Sequence, residues 1–470
     1  MDYGVTITRG AAPWQIFQQN EQGTAAIRLE GEYRCIQLSA ELPLEFTERP
    51  ATGVRVRARL VWEDSRETVL PWQDCCLEEG GRWHTVLHAV PAGGLYCVET
   101  EMYFDGWDGL SCTRGDMVPH LGVGDVFVIA GQSNAAGRAR TPIQDAPELG
   151  VHLLRASGKW DLAVHPLADA TGAVYVGNYA NHNPGHSPWL HFAKLLKHAL
   201  GYPIGLVMCA YGGAPLRWWN PAENGALYRN MMQATESLNA PPRGVLWYQG
   251  ETECYDTKGV QYLERFGNMV RQMRMDWRRP GLPFITVQLN RFLREHTAED
   301  DRTWGMVREA QRQAARQLAG VYVVPANDLA LYDTGHNAAQ SDLALGERCA
   351  ACALAQLYGR PRDWRAPEPV RAVRTAPDIV MVEFAPVHDE LEMYELEARR
   401  LPFTAEDGEG QAEPVRYKAE GARLTLVFSR PLGERAVLHG AWKMDSGAYV
   451  PYDRGRLPML SFYGFPIEKE

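Results

Sequence analysis

Residues 1 to about 122 alternate between apolar and polar positions with the period of two that a half-buried β-strand requires. The clearest runs are Val54-Arg55-Val56-Arg57-Ala58-Arg59-Leu60-Val61-Trp62 and Trp83-His84-Thr85-Val86-Leu87-His88-Ala89-Val90. Glycine and proline turns separate such runs, as at Gly80-Gly81 and Pro91-Ala92-Gly93-Gly94. Short alternating strands with this punctuation predict a β-sandwich-like domain over residues 1–122.

From about residue 123 the pattern becomes strand, loop, helix. Val126-Phe127-Val128-Ile129-Ala130 is a continuous apolar run, as a strand buried on both faces demands. Residues 204–210, 244–248, 284–289 and 321–324 repeat it, with helical patterns at 190–200, 262–277 and 303–318. Five strands alternating with helices predict an α/β domain over residues 123–360, built on a doubly wound parallel sheet. After Pro361 the alternation returns at 370–373, 379–384 and 424–428, which predicts a C-terminal β-rich domain over 361–470. No solenoid-like repeat interrupts this plan.

A chain of 470 residues is long enough for two to four domains, and 45% hydrophobic with 23% charged residues is ordinary globular composition. Lys and Arg number 48 against 58 Asp and Glu, a net charge of −10. That balance, without a long basic run, argues against nucleic acid or an anionic membrane surface as the main partner. No window approaches ~18 uninterrupted apolar residues, so no membrane span is expected. Met1-Asp2-Tyr3-Gly4-Val5-Thr6 has neither a basic nor an apolar leader segment, so the expectation is a cytoplasmic protein. The nine cysteines lack paired zinc-site spacing, and Cys349-Ala350-Ala351-Cys352 reads as core packing in an Ala-rich helix. The 14 tryptophans and 20 tyrosines fit β-domain cores for the most part, with sugar stacking as the functional alternative.

Ligands of an open parallel sheet bind beyond the carboxyl ends of its strands, so the segments that follow each strand carry the functional information. After the first comes Gly131-Gln132-Ser133-Asn134-Ala135-Ala136-Gly137, a serine among small residues at the mouth of the sheet. After the second comes Tyr211-Gly212-Gly213-Ala214-Pro215, where glycines let a backbone N–H approach a ligand. Gln249-Gly250-Glu251 follows the third, an amide able to donate and a carboxylate able to hold the loop. After the fifth, Asp333 and His336 stand three apart, so the carboxylate can reach one imidazole nitrogen and leave the other free. A serine, a histidine and an aspartate so ordered suit nucleophilic catalysis, with Asp328 as the competing carboxylate.

Together these segments resemble the SGNH hydrolases, and among them the carbohydrate esterases of the sialate O-acetylesterase type. Gly131-Gln132-Ser133-Asn134, Gly212-Gly213, Gln249-Gly250-Glu251 and Asp333-Thr334-Gly335-His336 stand in the family's order, and Leu345-Gly346-Glu347-Arg348 is similar to its following helix. Outside the middle of the chain, Gly124-Asp125-Val126-Phe127 and Gly455-Arg456-Leu457-Pro458 are also similar to family segments. Ala135, Ala214 and Asn337 depart from the usual Met, Thr and Pro.

The resemblance implies an SGNH (flavodoxin-like) sheet flanked by N- and C-terminal β-rich domains, and removal of acetyl groups from sugars. It implies Ser133 as nucleophile, His336 as base and Asp333 as its orienter, with an oxyanion hole from Ser133, Gly212, Gly213 and Gln249. Substrate contacts are expected at Gln132, Asn134, Arg217, Trp218, Glu251 and Asn290, with Trp219 and Arg291 close by. No metal or organic cofactor is implied. The expected partner is an acetylated carbohydrate, imported xylan or mannan fragments or sialic acid; a homo-oligomer is left open. Two other readings remain at this point, a non-catalytic carbohydrate-binding protein and a short-chain lipase or thioesterase.

Overall fold

The computed structural model describes residues 4–41, 45–106, 109–174, 184–256, 259–447 and 449–469. Met1, Asp2 and Tyr3, with which the reading of the N-terminus begins, lie outside the described residues.

One strand organises the molecule. Gly109–Gly131 runs for 23 residues and changes partners along its length. Its first part pairs antiparallel with Gly93–Gly106, up to Gly93 opposite Val123. Its last part pairs in parallel with Ile204–Met208 on one side and Gly244–Tyr248 on the other. The boundary expected near residue 122 therefore falls inside a continuous strand. The texture changes there because the strand is buried at every position from Leu121 onward, after a half-exposed beginning.

The parallel strands stand in the order Val151–Leu154, Ile204–Met208, Gly109–Gly131, Gly244–Tyr248, Phe284–Val287, Val321–Val324. Five of the six were expected. Val151–Leu154 was not, because His152 breaks its short apolar run. That histidine is fully buried, its Nδ1 is 2.7 Å from Trp14 O, and burial pushes its pKa down to about 4. The chain crosses the central strand when it passes from Ile204–Met208 to Gly244–Tyr248, so the order reverses at Gly131. This is the position where an open sheet leaves a crevice.

The expected helices are present as Trp189–Leu200, Tyr262–Asp276 and Ala298–Gln317. The last begins five residues earlier than its apolar period shows. Its first turn is polar and is fixed by a capping box between Thr297 and Asp300, with Glu299, Asp300 and Asp301 at the positive end of the helix dipole. Ala339–Tyr358 packs on Trp189–Leu200 and buries Cys349 and Cys352 as side chains of its core face. All nine cysteines are unpaired.

Strands Thr52–Trp62 and Arg82–Pro91 in the first part of the chain, and Glu368–Ala376, Ile379–Ala385 and Arg423–Phe428 in the last, match the alternating runs. Each region buries its own cluster of apolar side chains, around Leu60 and Val98 and around Leu426 and Phe462. Trp83, Trp189, Trp219, Trp247 and Trp304 are fully buried, so core packing accounts for five of the tryptophans. No helix among the described residues is long and apolar enough to cross a membrane.

Candidate active site

Three chain segments meet beyond the carboxyl end of the central strand. Gly131 has φ 127°, and a Cβ there would run into the backbone of Tyr248 on the neighbouring strand, so only glycine lets the two strands part at this point. Gln132 N–H donates to Tyr248 O at 2.9 Å, and Ser133 opens the short helix Ser133–Ala136.

Ser133 Oγ lies 3.0 Å from His336 Nε2, and His336 Nδ1 lies 2.7 Å from Asp333 Oδ2. The other oxygen of Asp333 accepts the backbone N–H groups of Gly335 (2.9 Å) and His336 (2.8 Å). Partial burial pushes the Asp333 carboxyl up, but these hydrogen bonds outweigh it and hold its pKa below the ordinary value. Asp328 is committed elsewhere. It makes two bonds to Arg348, at 2.7 and 2.6 Å, and accepts the Tyr452 hydroxyl at 2.8 Å.

The Gly212-Gly213 turn borders this group. Tyr211 N–H donates to Gly131 O at 3.1 Å, and Gly213, at φ 69°, has open space where a side chain would stand. Ser133 is the first residue of its helix, so its N–H has no carbonyl partner within that helix. The Arg138 guanidinium lies over Gly212, where a Cβ would meet it.

Several expected ligand contacts are corrected. Gln249 is fully buried, and its amide N–H groups face Ala214 O at 3.3 Å and Glu253 Oε1 at 3.4 Å. It is drawn inward by a carboxylate four residues on, so it does not present a donor to an oxyanion. Asn134 donates to Glu251 Oε1 (2.8 Å) and Gly335 O (3.1 Å) and accepts from Asn337 N–H (3.1 Å). It thereby grips the loop on both sides of His336 rather than pointing at substrate. Asn290 gives its amide to Leu329 O (3.1 Å) and Asn337 Oδ1 (2.9 Å) and is likewise internal.

Glu251 is the anchor for Asn134. Burial raises its pKa, offset in part by the bond from Asn134. Gln132 Oε1 faces Gly250 N and Thr252 N at 3.4 and 3.3 Å, which ties the first loop to the third. Arg217 is ion-paired with Asp256, and Arg291 Nη2 donates to Leu329 O at 3.3 Å. Of the tryptophan pair, Trp219 is core, edge-on to Trp247, whereas Trp218 is half-buried and edge-on to Tyr211 at 6.0 Å.

Sequence reading missed Arg138 and a buried ionic group beneath the site. In that group Asp145 Oδ2 is 3.0 Å from both His165 Nε2 and His186 Nε2, and Asp342 Oδ2 is 3.2 Å from His186 Nδ1. The three ligand-type atoms of Asp145, His165 and His186 lie within 4.8 Å of one another. The Lys194 ammonium already sits on Asp145, which makes this a closed ion cluster rather than a cation cage. Its members are scattered between residues 145 and 342, so no local spacing announces it.

The strand-end site and the sheet that carries it define a carbohydrate ester hydrolase when set beside known proteins. Residues 123–355 match the carbohydrate esterase family described as sialic acid-specific acetylesterase. A probable carbohydrate esterase of Arabidopsis thaliana is 30% identical over 283 residues, which are 53% of this chain and 98% of that relative. The sialate O-acetylesterase of Pongo abelii is 23% identical over 296 residues, 53% of this chain and 54% of that relative. A carbohydrate acetylesterase from Xanthomonas citri superposes with a TM-score of 0.64 over 97% of this chain and 99% of its own, at 20% identity, and so shares the fold. The chain belongs to the sialic acid-specific acetylesterase family of carbohydrate esterases. It is a carboxylic ester hydrolase, which sets aside the non-catalytic reading.

Proposed function

We propose that this carbohydrate esterase removes acetyl groups from neutral acetylated oligosaccharides through an acyl-enzyme on Ser133. The observation that carries the reading is the hydrogen-bonded line Ser133–His336–Asp333, at 3.0 and 2.7 Å. His336 Nε2 takes the proton as Ser133 Oγ attacks the ester carbonyl. Asp333, ionised at neutral pH, holds the Nδ1–H tautomer and stabilises the imidazolium. The imidazolium then protonates the departing sugar oxygen. In the second half His336 activates water, which releases acetate and restores the hydroxyl of Ser133.

The tetrahedral oxyanion is held by the N–H of Ser133 and a backbone N–H of the Gly212-Gly213 turn, each worth roughly 3 kcal/mol in such a site. Gln249 has no part in it. Tyr211 and Trp218 stand beside the turn and offer aromatic surface to a sugar ring. Arg217 and Arg291 are engaged with protein partners, which supports a neutral sugar over a sialate.

Release of acetate from a panel of acetylated xylo- and manno-oligosaccharides and from acetylated sialic acid, by wild type and Ser133→Ala, tests the reading. Turnover of the neutral glycans that vanishes in the variant is expected. Near wild-type turnover by Ser133→Ala would show that the nucleophile is another group.

A further inference from the structure

Ser133 and His336 are 203 residues apart in the chain, so their 3.0 Å approach is set by contacts rather than by connectivity. One set of contacts is the Asn134 grip on the base loop. A second runs through the buried ion cluster. Gly185 N–H donates to Gly137 O at 3.0 Å and His186 N–H to Ala139 O at 2.7 Å, which pins residues 185–186 to the segment leaving the Ser133–Ala136 helix. From the same residue, His186 Nδ1 faces Asp342 Oδ2 at 3.2 Å. Asp342 Oδ1 in turn accepts Asn337 Nδ2 at 3.4 Å, one residue beyond His336. His186 thus reaches the nucleophile segment through its backbone and the base loop through its side chain.

None of these groups has a step in the mechanism above, yet His186, Asp342 and Asn337 are all buried. The surrounding groups complete the arrangement. Asp145 takes the other imidazole nitrogen of His186, and His165 and Lys194 both contact Asp145. Both ring nitrogens of His186 are held by carboxyl oxygens, and a ring hydrogen-bonded on two sides resists rotation and displacement. A buried ion pair contributes little net stability because its desolvation offsets its attraction. Fixed geometry is what such a pair does supply. Asn337 is the coupling point: besides Asp342 it accepts from Asn290 at 2.9 Å and donates its own N–H to Asn134 at 3.1 Å. A proline at this position would offer neither the side-chain amide nor the N–H.

We propose that the His186–Asp342 pair, acting through Asn337, is a positioning brace that holds the His336 imidazole within reach of Ser133. The proposal rests on the Ser133–His336–Asp333 reading and adds three positioning residues to it. A base displaced by about 1 Å loses on the order of 100-fold in rate, and a partial displacement loses less.

The test uses the full chain, with kcat and KM measured on p-nitrophenyl acetate for wild type, Asn337→Ala, Asp342→Asn and the double variant, alongside Ser133→Ala. Asn337→Ala keeps the N–H bond to Asn134 and removes the side-chain links to Asp342 and Asn290. Each single variant is expected to lose about 10-fold in kcat with KM within about twofold, because misplacement of the base affects the chemical step. The double variant is expected to lose no more than the worse single, as two changes on one path do. Asn337→Ser, with a short donor, should recover part of the rate. If Asp342→Asn does not fold, Asn337→Ala and Asn337→Ser decide the matter by themselves. Unchanged kcat in folded Asn337→Ala, losses that multiply in the double variant, or a rise in KM alone would overturn the brace. Activity retained by Ser133→Ala would instead overturn the underlying triad.

Discussion

Asp333 and His336 are joined twice, side chain to side chain at 2.7 Å and carboxylate to backbone N–H at 2.8 Å. The carboxylate that orients the imidazole therefore also closes the turn that presents it. Asp333→Asn would keep one acceptor oxygen for the turn but favour the wrong imidazole tautomer. Turnover should fall by roughly 10³–10⁴, the scale seen when the aspartate of a serine-protease triad is changed in this way. The melting temperature should move by only a few degrees. Steady-state kinetics with thermal melts of the same sample check both, and a variant within tenfold of wild type would remove Asp333 from the triad.

Asp328 should give the opposite pattern. It sits in a nearly buried pair with Arg348, whose side chains are 6% and 11% exposed. Breaking a buried pair by removing one charge costs about 3–5 kcal/mol because the other is left uncompensated. Asp328→Asn is expected to lower stability in urea unfolding while the folded fraction keeps its kcat. A kcat loss like that of Asp333→Asn, without loss of stability, would mean that Asp328 is the orienting carboxylate.

The chain order of the four loop segments was enough to single out Ser133, His336 and Asp333, which the structure brings within hydrogen-bond distance of one another, because each follows a strand whose apolar run is unmistakable. The roles of Asn134, Gln249, Glu251 and Asn290 were not legible. Amides and carboxylates at strand ends suit a ligand as well as a neighbouring loop, and only three-dimensional pairing decides between them. Asn134 is claimed by Glu251 and Gly335, and Gln249 by Glu253. The His152 strand and the Asp145–His186–Asp342 cluster were hidden for a related reason. A buried polar side chain interrupts the apolar pattern, and its partners lie far away in the chain.

Trp218 and Trp219 separate core from surface in adjacent positions. Trp219 is fully buried against Trp247, and truncation to Ala should cost about 3–5 kcal/mol. Trp218 is half-buried beside Tyr211, so Trp218→Ala should leave stability within about 1 kcal/mol while raising KM for oligosaccharides several-fold. KM for p-nitrophenyl acetate, which has no sugar to stack, should hardly change. An equal KM rise on both esters would place Trp218 at the acyl side instead of the sugar side.

His186 makes stability depend on pH. Burial opposes its charge, but the bonds to Asp145 and Asp342 outweigh it and raise its pKa from 6.5 to about 9. A raised folded-state value means that the stabilisation is complete below the unfolded value near 6.5 and is lost as pH rises through 9. Its size is on the order of 3 kcal/mol. Burial also raises Asp342, which acts in the same direction at lower pH. Wild-type melting temperature should therefore fall between pH 6.5 and 9.5, and His186→Gln should flatten that slope. Parallel slopes in the two proteins would show that His186 carries no extra proton in the folded state.

Ionic strength distinguishes the two substrate classes. A sialate brings a carboxylate to a chain of net charge −10, so productive binding needs a local cation. Arg217 is already paired with Asp256, and Arg291 gives a guanidinium N–H to Leu329 O, so recruiting either means breaking an existing contact. Attraction between exposed charges is screened over roughly 8–10 Å at physiological salt. A sialate substrate would therefore show KM rising with added salt, and a further rise in Arg217→Ala or Arg291→Ala. A neutral acetylated oligosaccharide would show neither effect, because it brings no charge whose attraction salt could screen. The expected outcome is a flat salt response on acetylated xylo- or manno-oligosaccharides, with KM in Arg217→Ala within about twofold of wild type. Efficient, salt-sensitive release of acetate from acetylated sialic acid, with no turnover of the neutral glycans, would reverse the assignment of substrate and leave the deacetylation chemistry in place.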